Sequence, residues 1–173
     1  MKATVFVGTS VDGFIARANG ALDWLPEDAE EHGYEAFFAS VDALVIGRHT
    51  YETVLGFEAW PYGTKPVYVL SSASLRAPPA GAVVRHLSGD PRDIVNQLTA
   101  SGVHHAYIDG GVTVQRFLRA GLIQRLIITR IPVLLGAGIP LFGPTNRDIR
   151  LRHVRTRQFP SGLVQSEYEV DPG

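Results

Sequence analysis

Two junctions in the chain run strand, glycine, helix start: Leu44-Val45-Ile46-Gly47-Arg48-His49-Thr50 and Ala106-Tyr107-Ile108-Asp109-Gly110-Gly111-Val112-Thr113. Glycine lets the backbone turn tightly there and approach a ligand closely. The helix start that follows presents unpaired N–H groups and a partial positive charge, which favour phosphate. A third segment, Val69-Leu70-Ser71-Ser72, ends a strand with two hydroxyls. Ser72 with Arg48 suits a ribose 2′-phosphate, because guanidinium meets phosphate as a fork; that pair would select NADP over NAD. A single junction of this kind is ordinarily only a turn. Two of them plus a serine pair, each after its own strand, point to a dinucleotide lying outside the carboxyl ends of the strands. The Rossmann fingerprint itself is missing: Gly136-Ala137-Gly138 leads into Ile139-Pro140-Leu141, with no third glycine in place.

Acid–base candidates are fewer. Pro26-Glu27-Asp28-Ala29-Glu30-Glu31 is acid-rich, and on a helix Asp28 and Glu31 would share a face. A solvated first turn favoured by the helix dipole explains the same residues. There are no cysteines, which removes thiolate nucleophiles, disulfides and cysteine-ligated zinc. His104 and His105 are adjacent, so on a strand they point to opposite faces and cannot clamp one metal. No metal site is expected. Arg147, Arg150, Arg152, Arg155 and Arg157 form a basic run, but strand alternation should split it between two faces as a solvated edge.

The elements that must position these residues follow from length and pattern. A chain of 173 residues with 45% apolar and 19% charged residues suits one α/β domain, and a net charge of −1 offers no field for nucleic acid. No apolar run reaches the ~18 residues of a membrane span, and the apolar start is too short for a signal-peptide core. No membrane association is expected, and the cytoplasm is the expected compartment. Strands are predicted over 3–8, 42–46, 66–70, 83–86 and 105–108, alternating with helices over 28–40, 48–55, 91–101 and 111–120. Tyr34, Phe37 and Phe38 mark the apolar side of the first helix. Asp90-Pro91-Arg92-Asp93 supplies the third with an N-cap, a first-turn proline and an acid. The last third changes character: 125–133, 150–158 and 163–170 read as strands without helices between them, with a turn at Ser161-Gly162. The sheet should be mixed, mostly parallel, with helices on both faces and an antiparallel C-terminal hairpin.

Several segments carry a family resemblance. Val45-Ile46-Gly47-Arg48-His49-Thr50-Tyr51-Glu52, Val69-Leu70-Ser71-Ser72 and Asp109-Gly110-Gly111 resemble dihydrofolate reductase in order and spacing. So do Ser10-Val11-Asp12-Gly13-Phe14-Ile15-Ala16 and Asp23-Trp24-Leu25-Pro26. The stretch Pro132 to Phe142 is more similar to the reductase domain of bacterial riboflavin-biosynthesis deaminase–reductases. The resemblance implies a dihydrofolate-reductase-like fold and an NADPH-dependent oxidoreductase. It places Gly47, Arg48, His49 and Thr50 on the cofactor phosphates, and Leu70, Ser71 and Ser72 on the adenosine side. Gly110, Gly111, Val112 and Thr113 would cradle the pyrophosphate, with Ile15 and Ala16 bordering the nicotinamide. It makes Asp28, with Glu31 nearby, the catalytic acid, and Trp24, Tyr34 and Phe37 the walls of a pocket for a small heterocyclic substrate, a pterin or a pyrimidine. It also implies a homodimer joined through the C-terminal strands. Two residues depart from the family pattern: Asp109 replaces a glycine, and Val112 stands where a basic residue is common. An acid beside phosphates is unfavourable unless its side chain points away.

Overall fold

Short β-branched runs that are apolar on both sides must be covered on both faces, and that is how the computed structural model is built. It describes residues 1–28 and 30–173. Eight strands form the main sheet: β1 (Lys2–Ser10), β3 (Ala43–Gly47), β4 (Val67–Leu70), β5 (Val84–Leu87), β6 (His105–Asp109), β7 (Arg125–Ile131), β9 (Leu151–Gln158) and β10 (Val164–Val170). Their order is β5-β4-β3-β6-β1-β7-β10-β9. From β5 to β7 all neighbours are parallel, while β10 runs antiparallel to both β7 and β9. The mixed sheet with an antiparallel terminal hairpin is as expected from sequence. Two strands the sequence reading missed, β2 (Phe14–Ala16) and β8 (Ile139–Pro140), pair separately. At three and two residues they leave no alternation to read.

Helices α3 (Pro91–Ala100) and α4 (Gly111–Arg119) cover one face, where Ile94, Leu98 and Phe117 pack on Val5, Val45 and Ile108. Helices α1 (Tyr34–Ser40) and α2 (Arg48–Leu55) cover the other, where Phe37, Tyr51 and Val54 pack on Phe6, Ile46 and Tyr107. Each such aliphatic or aromatic side chain, fully buried, contributes about 1.5–3 kcal/mol. α3 forms as the sequence dictates: the Asp90 carboxylate accepts from the Arg92 N–H (2.9 Å), and Pro91 occupies the first turn.

Two expectations are corrected. The helix expected over 28–40 begins only at Tyr34. Residue 29 lies outside the described part, and 30–33 are irregular. Gly33 has φ 94°, a left-handed conformation that blocks any helical continuation toward the N-terminus. Asp28 and Glu31 therefore share no helix face. The second correction concerns the arginines of β9. A register shift between Glu167 and Tyr168 breaks the alternation. Arg155 and Arg152 consequently pair with Glu167 and Glu169 on one face, and Arg125 of β7 joins Glu167 as well. Arg152, Arg155 and Arg157 thus share one face rather than being divided between two, the first two neutralised by carboxylates and Arg157 bonded to Gln165 Oε1 (2.7 Å). His105 is structural, its ring bonded to Thr4 Oγ1 (2.9 Å) and the Ser40 carbonyl (3.1 Å).

Candidate functional site

Parallel register brings the two glycine corners together. Ile46 pairs with Asp109 and Gly47 with Leu70, so β3, β4 and β6 end at one level, side by side. The corners interlock. A Cβ on Gly110 would lie 2.7 Å from Thr50 Oγ1, and one on Gly47 would lie 3.0 Å from Thr113 Oγ1. The first is closer than real Cβ atoms come and the second is tighter than most, and Gly110 also has φ 96°. The first turns of α2 and α4 thus open at adjacent places on the sheet edge, with their leading N–H groups unpaired by helix geometry. Val112 stands in the first turn of α4 and is 67% exposed, while Gly111 and Thr113 on either side of it are buried.

The neighbouring residues lie along the same edge of the sheet. Arg48 is loosely paired with Glu52 at 3.8 Å, and both side chains are about two-fifths exposed, so the guanidinium is free to turn to a phosphate. His49 is exposed in the same turn. Ser71 folds back on Ala73, accepting from its N–H (3.0 Å) and donating to its carbonyl (2.9 Å). Ser72 is exposed with its hydroxyl turned to no described partner. His86, on β5, reaches the Ser71 carbonyl at 2.7 Å and was not picked out from sequence. At the other end, Ile15 and the Pro140 carbonyl close over Gly111 to 3.3 and 3.0 Å of a Cβ there, and Ala16 pairs with Ile139. Asp12 joins the loops on this side: its carboxylate accepts the N–H groups of Leu135 (3.2 Å) and Gly136 (2.8 Å). Bonding from Ser10 and these amides holds it below the usual carboxylate range.

Asp109 is the residue that sequence reasoning undervalued. Its side chain lies on the α1 face of β6, two residues after Tyr107 and away from α4. It sits among Tyr34, Tyr62 and Tyr107, whose phenols its charge pushes further up. Burial raises its own carboxyl from 3.8 to about 6, opposed by one bond from the Gly110 N–H (2.8 Å). Tyr34 is held at about 12, by burial first and then by Asp109. Strand alternation from the apolar Tyr107 was the available signal. The acid the sequence favoured lies elsewhere: Asp28 is exposed in a turn, and the Glu31 carboxylate, also exposed, accepts the Gly33 N–H (2.7 Å). Phe37 is only 8% exposed, sandwiched between Phe6 (5.0 Å, stacked) and Tyr107 (5.0 Å, edge-on), so it is core behind the wall and not the wall itself. Tyr34 is half-buried beside Asp109, and Trp24 is half-buried with its indole N–H unpaired. No group of residues suited to hold a metal occurs among the described residues. No helix there is long and apolar enough to cross a membrane.

A mixed sheet of this order, with paired glycine corners at its carboxyl edge, has a dihydrofolate-reductase-like fold. The dihydrofolate reductase of Enterococcus faecalis complexed with NADP(H) superposes with a TM-score of 0.65 at 18% identity, over 98% of this chain and 96% of that one. The chain belongs to the RibD C-terminal domain family, whose profile matches residues 1–165. It is similar to a putative riboflavin biosynthesis protein from Shewanella sp. PV-4, with 39% identity, a TM-score of 0.91 and 99% of each chain covered. It is also 34% identical to YwjB of Bacillus subtilis, over 96% of this chain and 97% of that protein. Family and fold together support an oxidoreductase role.

Proposed function

We propose that the protein is an NADPH-dependent reductase acting on a C=N or C=O bond of a pterin-like or pyrimidine-type heterocycle. The observation that carries this reading is the interlock of the two corners, Thr50 against Gly110 and Thr113 against Gly47. It sets two helix N-termini where one extended diphosphate can meet both. NADPH, when bound, supplies the hydride. Gly110, Gly111, Val112 and Thr113 would hold the pyrophosphate by backbone N–H groups, and Gly47, His49 and Thr50 the neighbouring phosphate oxygens. Arg48 and Ser72 would take the 2′-phosphate, with Leu70 and Ser71 beneath the adenosine. Ile15 and Ala16 would border the nicotinamide. The substrate ring would lie between Tyr34 and Trp24, its reacting carbon brought to roughly 3–3.5 Å from the hydride donor.

The proton is assigned to Asp109 in preference to Asp28 or Glu31. A carboxyl held near 6 by burial is protonated often enough at neutral pH to act as an acid. It would give its proton to the heteroatom of the reduced bond while the carbon gains the hydride. Reduction of a ribosylaminopyrimidine in riboflavin synthesis is the narrower form of the same chemistry, favoured by the family match. The purified protein mixed with NADPH and with each pterin or aminopyrimidine, followed by absorbance loss, tests the proposal. NADPH binding with no turnover of either class would instead favour a non-catalytic NADP-binding module.

Arg48→Ala is expected to weaken NADPH binding and spare NADH. A charged hydrogen bond of about 1.5–3 kcal/mol is removed, which is roughly 10–100-fold in Kd. Fluorescence titration with both nucleotides measures it, and equal loss for the two would refute the 2′-phosphate assignment. The homodimer and the cytoplasmic location belong to this proposal too. β9 lies at the sheet edge with Leu151 and Val154 exposed, and two copies would meet along β9 and β10. A monomer by light scattering at micromolar concentration would count against it.

A further inference from the structure

The segment leading into α1 is gripped from across the molecule by the β9–β10 hairpin. The Glu30 carboxylate accepts the backbone N–H of Ser161 (2.8 Å) and its hydroxyl. The His32 carbonyl accepts two bonds, from Arg157 Nη2 (2.9 Å) and from Gln165 Nε2 (2.9 Å). Arg157 Nη2 also donates to Gln165 Oε1 at 2.7 Å. Arginine can only donate, so this bond fixes the amide orientation: oxygen toward Arg157, nitrogen toward His32 and Thr129 Oγ1 (3.0 Å). Gln165 is 4% exposed and Thr129 2%. The left-handed Gly33 follows, and a Cβ on it would come 3.0 Å from Arg157 Nη2. Tyr34, the next residue, begins α1 and packs on Phe6 (5.5 Å) and Tyr107 (6.4 Å) beside Asp109.

We infer that Arg157 and Gln165 are positioning residues of the site: through the His32 carbonyl they fix the first turn of α1 and so hold Tyr34 against Phe6 and Tyr107, near Asp109. Nothing else in this network is needed for the sheet to form, since β9 and β10 pair through their backbones. A buried network with every bond of one amide satisfied specifies a single arrangement. This inference rests on the reading of Asp109 as the proton-holding group. The groups that face Asp109 are Tyr34 from α1, Tyr62 from the segment after α2, and Tyr107 from its own strand. Burial is the main cause of its raised pKa, so loosening α1 lets water in and lowers it.

Gln165→Leu keeps the volume and removes both donors. Its Asp109 carboxyl, followed by carbon NMR against pH, is expected to titrate lower than in the wild type. Turnover is expected to drop roughly 10–100-fold, as for a small misplacement near the reacting atoms, with Kd for NADPH unchanged. Should Gln165→Leu not fold, Arg157→Ala, at a less buried side chain, gives the same readouts, and Arg157→Lys should recover part of the loss. An Asp109 titration identical to wild type in a folded variant overturns the inference, as does a loss of thermal stability with an unchanged pH profile. Failure of the functional reading looks different: the wild type then turns over no heterocycle, while the NMR comparison still decides the positioning role.

Discussion

Asp109→Asn is expected to slow turnover by about 10²–10⁴-fold, the usual contribution of a positioned acid, while making the folded protein more stable at neutral pH. The two effects share one cause. Burial among three tyrosines raises the carboxyl from 3.8 to about 6 in the folded chain. The native state therefore binds a proton that the unfolded chain has already released. Asp109's contribution to stability is full below its unfolded pKa and is lost as pH rises through the folded one. Above that point the folded protein carries a desolvated charge, a penalty of at most about 3 kcal/mol. Asparagine carries no charge and keeps an acceptor for the Gly110 N–H, so the penalty vanishes. Denaturant unfolding at several pH values should show variant and wild type diverging between about pH 4 and pH 6. In parallel, the wild-type rate should fall about tenfold per pH unit above the folded pKa, and the variant's rate should be flat. A wild-type rate that climbs through that range would assign the proton elsewhere.

Gly110→Ala should cost NADPH affinity more than any charge removal at the site. The residue sits at φ 96°, and its new Cβ would meet Thr50 Oγ1 at 2.7 Å with Gly47 N at 3.7 Å. Backbone strain of about 1–3 kcal/mol arises from the conformation alone. Relieving the contact pushes the α2 and α4 corners apart, so N–H groups on both sides lose their aim. Losing two bonds to charged oxygens, at about 1.5–3 kcal/mol each, corresponds to a Kd raised at least ~100-fold. Gly121→Ala is the control. It lies past the other end of the same helix with φ 70° and nothing within 4 Å of its Cβ. Calorimetric titration should show it binding NADPH like the wild type. Equal losses in both variants would mean that general destabilisation, and not the corner, carries the effect.

The corners were legible in the sequence because their grammar is local: strand, glycine, helix start, all within a few residues. α3 was legible for the same reason, its cap and first-turn proline being contiguous. The start of α1 was not. It is set at the left-handed Gly33, beside a carbonyl of His32 that is held by Arg157 and Gln165, 125 and 133 residues away. An acid-rich run reads as a helical first turn until such distant donors draw its backbone away. Asp109 was seen only as an acid near phosphates, because the direction of its side chain depends on which face of β6 meets α1. Counting from Tyr107 would have answered that. The arginines of β9 were misassigned since one shifted register, at Glu167/Tyr168, reverses every later side.

Asp12 makes the loop after β1 and the loop after β7 a single exchangeable part. Its carboxylate belongs to the first loop and its amide partners, Leu135 and Gly136, to the second. A chimera that grafts either loop alone from a relative would separate the carboxylate from its donors. One that transplants both together would carry the fastening with it, so specificity in this family should be transferable by paired grafts and resistant to single ones.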